Sequence, residues 1–272
     1  MSEQALSAGL TPEMKKNLFG NAYLNMLWHC PSDPRFHYWV HLPDCYYEEE
    51  NPSYQLLVII HGTGCEIESY LRAAKGLADQ NHVALLAPMF PGGLIDREDF
   101  NSYKLLSCDG VRYDQTLLSM IDDMKKRYPG VQADRFFMFG HSGGGQFTNR
   151  FLFAHPERLK AVSIGAPGRP TFLNFEEDYF WGVRDFEKYF DKKLDLEAVR
   201  KIPVQLTVGE LDNKYIGDSP YGYNRVERMK SLKANLEENG LSVSLEILPG
   251  LGHLNGEKER VQTAQKFFES YL

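Results

Sequence analysis

The stretch RFFMFGHSGGGQ, residues 135–146, decides the fold. Arg135 to Gly140 opens it as a run of bulky apolar residues, the pattern of a strand covered on both faces of a parallel sheet. Residues from Gly144 to His155 read as a helix. Between strand and helix lies Gly140-His141-Ser142-Gly143-Gly144. A serine held on so sharp a turn needs small neighbours two residues away, and Gly140 and Gly144 meet that need. Gly143 and Gly145 relieve the crowding further. The free N–H groups and positive end of the following helix favour an anion formed at the serine. Ser142 is therefore the candidate nucleophile.

The same rhythm continues outward on both sides. Gln55 to Ile60 (QLLVII) and His82 to Ala87 (HVALLA, ended by Pro88) are buried-strand patterns, and Ala161 to Ile164, Val204 to Val208 and Ser242 to Leu248 read as further strands. Helical patterns separate them: Glu66 to Asp79, Val111 to Tyr128, Asn224 to Asn239 and Lys258 to Tyr271. On the second, Leu117, Ile121, Met124 and Tyr128 share a face. On the third, Val226, Met229 and Leu236 do. Strands alternating with helices at these lengths predict an α/β protein with right-handed crossovers. The sheet is mostly parallel and twisted, with helices on both faces. Arg35 to Leu42 is expected as an antiparallel edge strand, and residues 1–20 as a loosely docked arm with a short helix from Pro12 to Leu18. Residues 168–201 break the rhythm, holding eight aromatics between Phe172 and Phe190. They predict an inserted helical cap over the carboxyl edge of the sheet, or else a satellite core under a long loop.

All 272 residues fit one domain, and 43% hydrophobic residues suffice for a sizeable core. A net charge of -7 without a basic stripe excludes a nucleic-acid partner. The four cysteines, Cys30, Cys45, Cys65 and Cys108, show neither CxxC nor metal-like spacing and read as reduced, mostly buried thiols. No apolar run of membrane-spanning length occurs, and Met1 to Lys16 is too polar for a secretory signal. Read as a whole chain, this implies a cytoplasmic protein without a membrane partner. A homo-oligomer is compatible with the composition.

Three further segments supply candidate partners for Ser142. His61-Gly62-Thr63-Gly64 follows QLLVII. There the backbone N–H of Thr63, or alternatively of Gly64, is expected to join that of Gly143 in holding an oxyanion. Of the eight histidines, only His253, in Pro249-Gly250-Leu251-Gly252-His253, lies between the last strand and the last helix. A neutral imidazole on that loop can take the serine proton and return it. Asp212, in Gly209-Glu210-Leu211-Asp212, follows the preceding strand and is expected to orient His253, with Glu210 and Asp218 as competitors. His61 is expected to be a structural hydrogen-bonder, and His29, His37, His41, His82 and His155 are read as structural. His141, Phe172, Phe180 and Trp181 are expected to line a pocket for apolar-to-aromatic acyl groups.

On HGTG, GHSGG, GELD and GLGH, in that order, the chain resembles the α/β-hydrolase superfamily across about residues 35 to 272. Within it, the chain looks most like esterases of the polyhydroxyalkanoate-depolymerase-like or feruloyl-esterase-like branch. The resemblance implies ester hydrolysis through an acyl-enzyme, with no metal or organic cofactor and a small-molecule ester as substrate. Serine at the elbow departs from the aspartate of haloalkane dehalogenases and the cysteine of dienelactone hydrolases. A peptidase, thioesterase or acyltransferase would use the same triad. A non-catalytic ligand-binding protein would have no need of all three members.

Overall fold

The computed structural model describes Thr11, Glu13, Met14 and residues 26–272. The expected N-terminal arm and its helix otherwise lie outside the described residues. Among the described residues ten strands occur: β1 (Met26–His29), β2 (His37–His41), β3 (Tyr54–Ile60), β4 (Val83–Met89), β5 (Ser107–Cys108), β6 (Val111–Arg112), β7 (Val131–His141), β8 (Leu159–Gly165), β9 (Val204–Gly209) and β10 (Val243–Leu248). Eight of them form one sheet in the order β1-β2-β4-β3-β7-β8-β9-β10, while β5 and β6 pair as a separate hairpin. Every pairing from β4 to β10 is parallel, and β1 and β2 run antiparallel.

The apolar run of β3 explains the layers. Leu56, Val58 and Ile60 join one core and Leu57 and Ile59 the other, because successive side chains point to opposite faces. Helices α2 (Tyr113–Arg127), α3 (Gly143–Ala154) and α6 (Arg225–Glu238) cover the first face. Helices α1 (Glu68–Asn81) and α7 (Glu257–Glu269) cover the second. The Asn224 side chain caps α6, accepting the Glu227 N–H at 3.0 Å.

The structure corrects three expectations. The strand within 35–42 is not the edge, since β1, too short to read from four residues, pairs outside it. Pro88 does not end β4. Beyond Leu86 that strand pairs only with β2, so a proline there leaves no β3 partner unmet. The segment between β8 and β9 is not a helical cap. It holds only two five-residue helices, α4 (Phe186–Phe190) and α5 (Leu196–Arg200), while Phe172, Val183, Phe186 and Phe190 merge into the main core. Of the four free thiols, Cys30 alone is buried and the others are half-buried. No helix among the described residues is long and apolar enough to cross a membrane.

Candidate active site

The segments following β3, β7, β9 and β10 meet at the carboxyl edge of the sheet, where open α/β sheets bind ligands. Ser142 follows β7 with φ 57 and ψ -113, a conformation that side-chain-bearing residues avoid, so the turn holds it under strain. Its N–H is tied to Gly165 O at 2.8 Å, and its carbonyl accepts the first bond of α3, from Gln146. The glycines let α3 start so close to the sheet. A Cβ at Gly144 would collide with Ile60 O, and one at Gly140 with Gly144 O.

Ser142 Oγ lies 2.9 Å from His253 Nε2. On the far side of the ring, Nδ1 lies 2.6 Å from Asp212 Oδ2, so the carboxylate fixes Nδ1 as the protonated nitrogen and leaves Nε2 to accept from the serine. The two competitors of Asp212 are engaged elsewhere. Glu210 accepts the Gly250 N–H at 2.9 Å, and Asp218 accepts from Tyr215 Oη at 3.0 Å. The His253 loop is braced from beneath. Buried Arg260 donates to Gly252 O and Asn255 O, and Asn255 Oδ1 accepts the Gly252 N–H at 2.8 Å.

His141, expected to line a pocket, lines neither of the two cavities described below. It is 5% exposed, with its ring centroid 4.9 Å from that of His253 and its Nε2 3.0 Å from His253 O. Burial holds its pKa well below the usual histidine range, so the ring braces the loop as a neutral donor. His61 is fully buried. Its Nδ1 donates to Gly62 O at 2.7 Å and its Nε2 accepts the Phe90 N–H at 3.0 Å, a structural role in keeping with expectation. Burial pushes its pKa down to about 4.

On the other side of Ser142, the Thr63 N atom lies 3.1 Å from where a Gly143 Cβ would stand. A Cβ at Gly64 would meet only the Glu66 side chain, at 3.8 Å. The Thr63 N–H and Gly143 are thus neighbours beside Ser142. Tyr103 Oη, which donates to His61 O at 3.2 Å, and Lys104 also crowd Gly143, so a side chain there would fill the space.

A cavity of about 360 Å³ adjoins this point, lined by Lys104, Gln146, Arg169, Phe180, Arg225 and Arg228 among others. Of the expected pocket aromatics, only Phe180 lines it. Phe172 is fully buried, stacked on Tyr221 with centroids 3.6 Å apart. Trp181 packs against Tyr221 and the Arg228 guanidinium. Aromatic residues in a loop carry no periodicity, so nothing in the pattern separates a core anchor from a pocket wall. A second cavity, of about 580 Å³, is lined by Trp39, Ile67, Leu71 and Met89 and reaches the HGTG loop at its neighbour Cys65. The cationic lining was missed because it comes from three distant segments. The one cue was a charged residue, Arg150, inside the otherwise uncharged helix QFTNRFLFA. It is buried and donates to Lys104 O at 2.6 Å and Arg169 O at 2.7 Å, which joins two of those segments.

No protein-family model and no curated relative matches the chain. Solved structures do. The poly(3-hydroxybutyrate) depolymerase from Bordetella parapertussis superposes with a TM-score of 0.71 at 19% identity, over 96% of this chain and 94% of that one. Poly(aspartic acid) hydrolase-1 from Sphingomonas sp. KT-1 gives 0.71 at 20% identity, over 89% and 96%. An S-formylglutathione hydrolase from Agrobacterium tumefaciens gives 0.57 at 16% identity, over 92% and 96%. With the parallel sheet and its strand order, these likenesses establish the α/β-hydrolase fold.

Proposed function

We propose that this chain is a serine hydrolase that cleaves carboxylic esters through an acyl-enzyme. One observation carries the reading: His253 bridges Ser142 Oγ at 2.9 Å and Asp212 Oδ2 at 2.6 Å. These are the contacts a base needs to take a proton and to be held in the right tautomer while doing so. Ser142 Oγ attacks the ester carbonyl as its proton passes to His253 Nε2. Charge gathers on the former carbonyl oxygen, where the N–H groups of Gly143 and Thr63 receive it. His253 then gives the proton to the departing alkoxide, leaving the acyl group on Ser142. A water activated by the same imidazole releases the acid and restores the serine. Asp212, 3% exposed, stabilises the imidazolium formed in both halves.

Among the similar structures, an esterase and a ferulic acid esterase support the ester reading. The S-formylglutathione hydrolase and the poly(aspartic acid) hydrolase place thioesters and amides in the same screen. Comparing p-nitrophenyl esters, an acyl thioester and an aminoacyl amide tests the class. The ester is expected to turn over fastest, and Ser142→Ala is expected to lower kcat by about 10⁶-fold. Turnover by Ser142→Ala equal to that of the parent protein overturns the proposal.

A further inference from the structure

Charge is distributed unevenly around Ser142. The chain carries more acidic than basic residues, 37 against 30, yet the cavity of about 360 Å³ is lined by Lys104, Arg169, Arg225 and Arg228 and by no carboxylate. It adjoins the site on two sides. Lys104 Cε lies 2.9 Å from where a Gly143 Cβ would stand, and Arg225 Nη1 lies 3.3 Å from Asp212 Oδ1. We propose that this cavity is a subsite for a carboxylate, and that the preferred substrates are esters bearing one. This rests on the serine-hydrolase reading and names its substrate class.

The partners of these cations support the inference. Buried cations are ordinarily paired with acidic side chains, because an uncompensated charge in a low-dielectric setting is costly. Arg228 is 2% exposed and spends its donors on the backbone carbonyls of Gly222, Gly168 and Gly217, which satisfy its geometry and leave its charge uncompensated. Lys104 is 6% exposed, and its ammonium donates to the neutral Asn101 Oδ1 at 2.6 Å. Arg169 is exposed and forms no side-chain hydrogen bond or ion pair among the described residues. Arg225 shares Asp212 with His253, and its buried Nε has no partner. Burial, and after it the neighbouring Arg150, push the Lys104 pKa down to about 8. An arriving carboxylate relieves this mutual repulsion and accepts from guanidinium and ammonium donors at once. Phe180 and Leu105 leave an apolar strip along the wall for the carbons that join the carboxylate to the ester.

Two matched pairs test this, and they separate the half of the ester that carries the charge. Mono-p-nitrophenyl adipate against p-nitrophenyl hexanoate places the carboxylate on the acyl side. 4-Acetoxybenzoate against phenyl acetate places it on the leaving group. In at least one pair the anionic ester is expected to exceed its neutral counterpart by about tenfold in kcat/KM, the scale of a hydrogen-bonded charge pair. That ratio is expected to fall about threefold in Arg169→Gln, whose exposed side chain anchors no other group, and in Lys104→Gln, and to shrink as salt is added. Neutral esters turned over with no anionic preference in either pair overturn the subsite and leave the serine-hydrolase reading standing. An anionic preference that survives both variants overturns the assignment to this cavity. Absence of turnover with all four esters overturns both readings.

Discussion

The two walls flanking Ser142 are built on opposite principles. On the His253 side the imidazole lies within hydrogen-bond reach of the Asp212 carboxylate, and the loop is braced by Arg260, Asn255 and His141. On the Lys104 side, cations from three segments face one another; Lys104 is satisfied by an amide and Arg228 by carbonyls, while Arg225 reaches Asp212. The closed wall holds an imidazole in one tautomer, which is what repeated proton transfer requires. The open wall keeps charge in reserve, which is what recognition of an anion requires. In the proposed reading, reaction and selection are separated in space, and substitutions on the two walls should have different signatures.

Asp212→Asn breaks the first wall at its most sensitive point. The amide can offer an N–H to His253 Nδ1 and favour the wrong tautomer, so kcat should fall by about 10⁴-fold with neutral and anionic esters alike. Steady-state rates on the matched pairs check this, and a loss confined to anionic esters would contradict the division of labour. Gly143→Ala acts between the walls, since its methyl meets Tyr103 Oη, Lys104 Cε and the Thr63 N–H together. A loss of about 10²–10³-fold in kcat, the scale of one oxyanion donor, is expected with near-normal unfolding, and circular dichroism separates it from a folding defect.

The frame beneath should respond to pH through buried histidine. His61 titrates near 4 in the fold against 6.5 as its ordinary value, so the unfolded chain binds the proton first. Stability is then complete above pH 6.5 and falls as pH drops toward 4, by roughly 3 kcal/mol from this residue. His141 pulls the same way. Urea midpoints at pH 7 and pH 4.5 should show the drop, and His61→Gln should flatten it. An unchanged slope would contradict the assignment.

The difference between the walls also explains what the sequence reveals. Ser142 was readable because a strand-turn-helix junction with glycines on both sides is a local demand, written in consecutive residues. His253 and Asp212 followed from chain order, each a few residues beyond a strand, and the structure brings all three together. The alternation within QLLVII placed the layers on both faces of the sheet. The open wall has no such signature. Lys104, Arg169, Arg225 and Arg228 are ordinary surface-type residues in sequence, and only folding makes them neighbours. Phe172 was misplaced for the same reason, since its burial depends on Tyr221, about fifty residues away. Strand β1 escaped because four residues beside a turn carry too little pattern to read.

The central claim is that Ser142 is the activated nucleophile, and covalent labelling tests it most directly. A fluorophosphonate probe is expected to modify the folded protein once, with the adduct mapping to the peptide containing Ser142. Labelling should be lost in Ser142→Ala and slowed in Asp212→Asn. A folded parent protein that resists the probe, or one labelled at another serine, would contradict the account.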